Sequence, residues 1–253
     1  MPHKLSTIWL LAAIAACSDA SGPGGGGLEF GNVAVSFATQ SGAPGSPAAA
    51  AYAPASMLDD TLISGSDTLI LTSVQLVLRE IELQRVEVAN CDVEQCEEFE
   101  TGPVLISLPL NSGVQTSFEI PIDTGRYTEI EFEVHKVSAG DPADDAFIQD
   151  NPDFEDISIR VTGTFNGAAF VFETDLNVDQ ELALVPILVV DGTGGPLNVT
   201  ILTAVDVWFR DATGAVINPA TGNTGEPNES LVEDNIEDSF EAFEDDDRDG
   251  SRG

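Results

Sequence analysis

The sequence predicts an all-β fold, an antiparallel β-sandwich with one C-terminal amphipathic helix and flexible termini. Three observations carry this. Apolar residues alternate with polar ones over many short segments bounded by turn residues, an Asn166-Gly167 dipeptide separates two such segments, and the period lengthens to helical spacing only after residue 228. The 253 residues suffice for one good-sized core, so a single domain with tails is expected. By composition, residues 1–16 are a signal segment, 17–27 a tether, 28–217 the sandwich, 218–244 a linker and helix, and 245–253 an acidic tail.

The elements follow in order. Residues 18–27, SDASGPGGGG, cannot bury enough surface to fold and read as a spacer. Val33, Val35 and Phe37 share one side of a first strand, and the Ala-, Pro- and Gly-rich stretch 39–56 is either a long exposed loop or the sign that this strand docks from an extended arm. From Thr68 the β pattern is strongest. Leu69 and Leu71 share one phase, Val74, Leu76 and Leu78 the other, and Ile81 and Leu83 the first again, which predicts bulges near Thr72-Ser73 and Arg79-Glu80. The segment runs through Val86 and Val88 into a cysteine loop, Val104, Ile106 and Leu108 return as its partner, and residues 114–120 continue the sheet. After the turn Asp123-Thr124-Gly125, Ile130, Phe132 and Val134 point inward while Glu129, Glu131, Glu133 and His135 form a wet face.

Residues 139–155 read as an acidic loop. Ile157, Ile159 and Val161 resume alternation, and Asn166-Gly167 suits the positive φ of a type I′ hairpin turn. Residues 182–190 are more uniformly apolar, as in a strand buried on both sides or a sandwich core strand, although Pro186 limits its ladder. Leu197, Val199 and Ile201, then Val205, Val207 and Phe209, give one or two further strands before a turn at Asp211-Ala212-Thr213-Gly214. Val232, Ile236, Phe240 and Phe243 then recur at helical spacing.

The N-terminus specifies compartment. Lys4 is followed by a short apolar run, residues 7–16, and small residues lead into a cysteine at Ile14-Ala15-Ala16-Cys17. This resembles the lipobox of bacterial lipoproteins. The resemblance implies cleavage before Cys17, a diacylglyceryl thioether and an amide-linked acyl chain such as palmitate on that residue, and a membrane anchor made of lipid. In Gram-negative members an Asp after the cysteine favours retention at the inner membrane; Ser18 stands there, which implies the outer membrane. The order of lipobox, glycine spacer, strands and acidic tail also resembles surface lipoproteins built on β-sandwich domains, Ig-like or transthyretin-like, of unassigned function. Within it, residues 67–83 and Gly125-Arg126-Tyr127-Thr128-Glu129-Ile130 look like a turn leading into an edge-facing strand.

Charge and cysteines narrow the chemistry. With 44 acidic and 9 basic residues the net charge is −35. Such a field repels nucleic acid and anionic lipid and favours cations, basic partners or solubility at high salt alike. In an oxidising envelope Cys91 and Cys96 read as a local disulfide closing a hairpin loop; a metal site is the weaker reading, because partner ligands are lacking. Asp245, Asp247 and Asp249 before Gly250 resemble the first half of an EF-hand loop, without the acid at its twelfth position; a solvated acidic terminus is the stronger reading, and Ca²⁺ is the candidate ligand if the tail binds one. Asp141, Asp144, Asp145, Asp150 and Asp153, with Asp156, are a second candidate set.

Catalytic signals are thin. His135 is the one histidine beyond the signal segment, and it follows no nucleophile elbow. Trp208 is either a platform for a sugar ring or an aromatic buried under the C-terminal helix. The glycosylation sequons at Asn198 and Asn228 are accidental in a bacterium. The expectation is therefore no enzyme: a tethered binding or structural module whose partner is an envelope protein or glycan. The alternative is a carboxylate-based hydrolase of envelope polysaccharide.

Overall fold

The computed structural model describes residues 30–40, 60–86, 97–99, 102–110, 113–192 and 197–252. Cys17, Cys91 and Cys96, with the lipidation and the disulfide expected of them, lie outside these residues. The strands are β1 (Phe30–Thr39), β2 (Asp60–Ser64), β3 (Asp67–Arg85), β4 (Glu97–Phe99), β5 (Val104–Ser107), β6 (Val114–Asp123), β7 (Gly125–Val134), β8 (Ile159–Phe165), β9 (Ala168–Thr174), β10 (Val178–Val190), β11 (Leu197–Thr203) and β12 (Phe240–Glu244). Two short helices, α1 (Pro142–Asp150) and α2 (Glu229–Glu237), complete the set with 3-10 turns at Pro152–Phe154 and Pro219–Gly222. Among the described residues no helix is long and apolar enough to cross a membrane.

The protein is an all-β sandwich. Its smaller sheet has the order β12-β11-β1-β6 and its larger one β10-β7-β3-β8-β9, with β2, β5 and β4 along the other edge of β3. One cluster of buried side chains fills the space between them, from Val33, Val35 and Phe37 on β1 to Leu76, Phe132 and Phe172. Phe132 and Phe240 meet across the sheets edge to face at 5.5 Å.

The 19-residue β3 organises the larger sheet. Along one edge it pairs first with β8 and then with β7, the exchange falling at Val77, whose N–H donates to Ser158 and whose carbonyl accepts from His135. Register shifts between Leu71 and Ser73 and between Arg79 and Ile81 fall where the two phase changes predict, and Glu80 takes φ 51° at the second. The backbones come so close beside the first bulge that a Cβ at Gly163 would overlap the Ile70 carbonyl. Asn166 and Gly167, at φ 52° and 80°, make the β8–β9 hairpin turn as expected.

Several expectations are corrected. Pairing is antiparallel except for β1, which runs parallel to β11. β6 does not continue the sheet of β5; it crosses to the smaller sheet and pairs with β1. β7 is no edge strand, since β10 and β3 flank it. β10, expected to be a strand buried on both faces or a sandwich core strand, is an edge with one wet face, where Val185 and Val189 are exposed; its ladder to β7 lapses between Ala183 and Leu188, around Pro186. Residues 205–209 form turns in place of a strand, so Trp208 and Phe209 are both buried, and the indole N–H donates to Ser239 Oγ at 2.7 Å. The acidic stretch expected as a loop contains α1, started by Asp141 as N-cap, Pro142 at the first position and two acids in the first turn. Finally, the C-terminal helix keeps Val232 and Ile236 but ends at Glu237, and Phe240 and Phe243 belong to β12, paired with β11.

Candidate metal centre and acidic clusters

The acidic tail is a strap laid over the outer face of the smaller sheet. Beyond β12 the Asp245 N–H donates to the Asn198 carbonyl at 2.9 Å, and the chain then crosses so closely that a Cβ on Gly250 would lie 3.1 Å from Val114 and 3.5 Å from Ala38. Alternation on β1 and β11 sends Val35, Phe37, Val199 and Ile201 into the core and leaves Ala34, Ser36, Asn198 and Thr200 under the strap. These polar groups close a buried network. Ser36 Oγ donates to Asn198 Oδ1 at 2.6 Å, so at 3.0 Å the Thr116 hydroxyl must be the donor to Ser36. Asn198 Nδ2 donates to Thr200 Oγ1 and to the Asp245 carbonyl, and Thr200 Oγ1 donates to Asp245 Oδ2 at 2.8 Å.

Asp245 is only 2% exposed and also accepts the N–H groups of Asp249 and Gly250, each at 3.1 Å. Its carboxylate oxygens come together with those of the exposed Asp247 and Asp249, all ligand atoms within 4.8 Å of one another. The three residues singled out in the tail are thus gathered in space. Three accepted hydrogen bonds leave the Asp245 carboxylate about one lone pair for a cation. Hydrogen bonds from the Ser251 hydroxyl and N–H hold the Asp249 carboxyl below the usual carboxylate range. If a Ca²⁺ ion were held here, the set would supply three of the six to eight oxygens it takes, and the exposed side is open to water. A cavity of about 420 Å³ opens beside it, lined by Thr39, Gln40, Glu241, Phe243, Asp249 and Arg252 among others.

The second candidate set does not gather. Asp141 caps α1 through Ala143 N–H, Asp145 accepts from Gly140 N–H, Asp153 pairs with Arg160 at 2.8 Å, and Asp150 is exposed. Asp144 turns inward, where both its oxygens are taken by His135 and one also by Ser138 N–H; it is a partner of the imidazole and not a cation ligand. His135, expected on the wet face, is buried beneath α1. A cluster that the sequence reading missed joins Asp175 to Glu229 and Glu233. The two glutamates sit one turn apart on α2, a visible signal, but only the fold brings Asp175 to them. Lys136 Nζ lies 2.8 Å from Asp175, holds that carboxyl below its usual range and already supplies a cation there.

Outside the core, register stacks like charges. Glu82 on β3 stands opposite Glu131 on β7, and Glu131 stands opposite Glu181 on β10. Burial first, then Glu181, Asp179 and Glu129, push the Glu131 carboxyl above the ordinary glutamate value. The folded state therefore holds this proton to higher pH than the unfolded chain does. The penalty is fully present above the folded pKa and is relieved as pH falls toward the ordinary glutamate value. Glu131→Gln is expected to raise the neutral-pH melting temperature, to flatten its rise on acidification, and to gain less at high salt, where exposed repulsion is screened. Thermal melts of both proteins over pH and salt check this; an unchanged or lower melting temperature at neutral pH and low salt would refute the repulsive ladder.

No protein-family model, curated protein or solved structure matches this chain.

Proposed function

We propose that this protein is a non-catalytic binding or structural module of the bacterial envelope, lipid-anchored through Cys17 at the outer membrane and binding Ca²⁺ at Asp245, Asp247 and Asp249. The observation that carries the binding reading is the convergence of those three carboxylates on a strap whose first acid is buried and held by Thr200. The tail set contains no internal cation, in contrast to the cluster at Asp175 with its Lys136. The Ile14-Ala15-Ala16-Cys17 motif and the glycine spacer support the anchor. Antiparallel pairing of β3 with β4, Ile81 opposite Phe99 and Leu83 opposite Glu97, supports a hairpin loop that a Cys91–Cys96 disulfide would close.

His135 is occupied by two carboxylates, and the acids paired across β3, β7 and β10 line a sheet face instead of flanking a cleft, which favours binding over polysaccharide hydrolysis. The test of the anchor is acyl labelling of the full chain in a Gram-negative host: labelled palmitate enters the wild type and not Cys17→Ser, and the variant leaves the membrane fraction. The test of the cation site is thermal unfolding in EDTA, in Ca²⁺ and in Mg²⁺ at matched ionic strength. A saturable, Ca²⁺-specific rise that disappears in the double variant D247N/D249N is expected. Equal rises with both cations would reduce the acids to a screening effect and overturn the Ca²⁺ assignment.

A further inference from the structure

We infer that α1 is a pH-sensitive flap on the outer face of the larger sheet, latched by a doubly protonated His135 clamped between Glu133 and Asp144. The ring is 7% exposed. Its Nε2 lies 3.0 and 3.1 Å from the two oxygens of Asp144, and its Nδ1 lies 3.3 Å from Glu133 Oε1. A neutral imidazole has one N–H, and its other nitrogen is a lone pair. Both nitrogens here face carboxylate oxygens, which cannot donate, so only the imidazolium satisfies the arrangement. Loss of one proton sets a lone pair against a carboxylate in surroundings that water screens poorly.

The flap depends on this tie because little else holds it. At nine residues α1 is too short to be stable alone. Its buried apolar residue, Phe147, enters a small cluster with Val77, Val137 and Phe154 that is separate from the main core. Val77 faces away from the sandwich interior, between Leu76 and Leu78, which face into it. Asp144 is 2% exposed and is the point at which the helix reaches the sheet, accepting also from Ser138 N–H at 2.9 Å.

The charged surroundings are few in kind. Glu133 accepts from Asn177 Nδ2 and stands opposite Arg79 on β3 and Asp179 on β10. Arg79 is paired with Glu80, and Lys136, next along the chain, is paired with Asp175. Asp141 and Asp145 of the flap are exposed and face its own backbone. No other cation among these is placed to take over the imidazolium's role between the two carboxylates. The latched state is the one in which both ring nitrogens donate, so removing either proton weakens the latch and a rise in pH should loosen the flap.

Hydrogen–deuterium exchange of the full chain from about pH 5 to about pH 8, the range in which an imidazole titrates, tests this. After correction for intrinsic exchange rates, protection of the amides of residues 145–151 should fall about tenfold or more with rising pH while the β8–β9 hairpin stays constant. The His135 Cε1 proton, assigned by its absence in H135Q, should titrate with the same midpoint. Asp144→Asn should leave flap protection low at every pH. Flap protection independent of pH, or an imidazole that stays neutral while α1 is protected, would overturn the proposal. The wild-type comparison of exchange with the imidazole titration decides it even if a variant does not fold.

Discussion

Asp245→Ala is expected to cost about 3 kcal/mol of folding stability, read as a lower denaturant midpoint at unchanged slope. The carboxylate is buried and accepts one hydroxyl and two backbone N–H groups, from Thr200, Asp249 and Gly250. Alanine removes all three acceptors at once. Thr200 sits beneath the strap with its oxygen already accepting from Asn198, so its own proton would be left without a partner. Asp245→Asn keeps one carbonyl oxygen but turns an amide toward a donor, and about half that cost is expected. The pair of variants separates fold from function: the asparagine protein should fold with the strap in place yet lose the Ca²⁺-specific gain. A cost below about 1 kcal/mol for the alanine variant would mean that this carboxylate does not fasten the strap.

Phe132→Ala is expected to cost about 4 kcal/mol, the largest single effect named here. Phe132 is fully buried on β7 and meets the edge of Phe240 from β12, so it joins the two sheets where the last strand completes the smaller one. Truncation opens a cavity between sheets that repeated strand pairing holds apart, which limits collapse around it. Phe132→Leu, retaining most of the volume, should cost about a third as much. Urea titration of both variants measures this. Equal costs would show that the volume leucine restores recovers nothing and that the ring's own shape and its edge contact with Phe240 carry the effect.

Legibility followed the range of the interaction. The two bulges of β3 were visible because a one-residue slip moves every following side chain to the opposite face, and Leu71, Val74, Leu78 and Ile81 record it in their spacing. The Asn166-Gly167 turn was visible because its backbone conformation suits few other residues. Phe240 and Phe243 misled because i, i+4 and i, i+3 spacing carries straight through Ser239, where the helix ends and a strand begins. In α1 the Asp141-Pro142 start was present, yet its charge outweighed it in the reading, and the apolar face is only Phe147 with a neighbour or two.

Of the candidate site, the sequence marked Asp245, Asp247 and Asp249 through local spacing, and a glycine bend and strap hydrogen bonds then bring them together. The sequence by itself determined the strand-rich class, the hairpin and the bulges, all written within a few consecutive residues. Only the tertiary structure decided that β1 runs parallel beside β11, that Glu82, Glu131 and Glu181 share a row, that Asp175 reaches α2, and that a histidine on the outward phase of its strand is roofed by Asp144. Each of these depends on which distant segments become neighbours. That choice is made by burial of the common core, and alternation along one strand records a face without recording what will come to cover it.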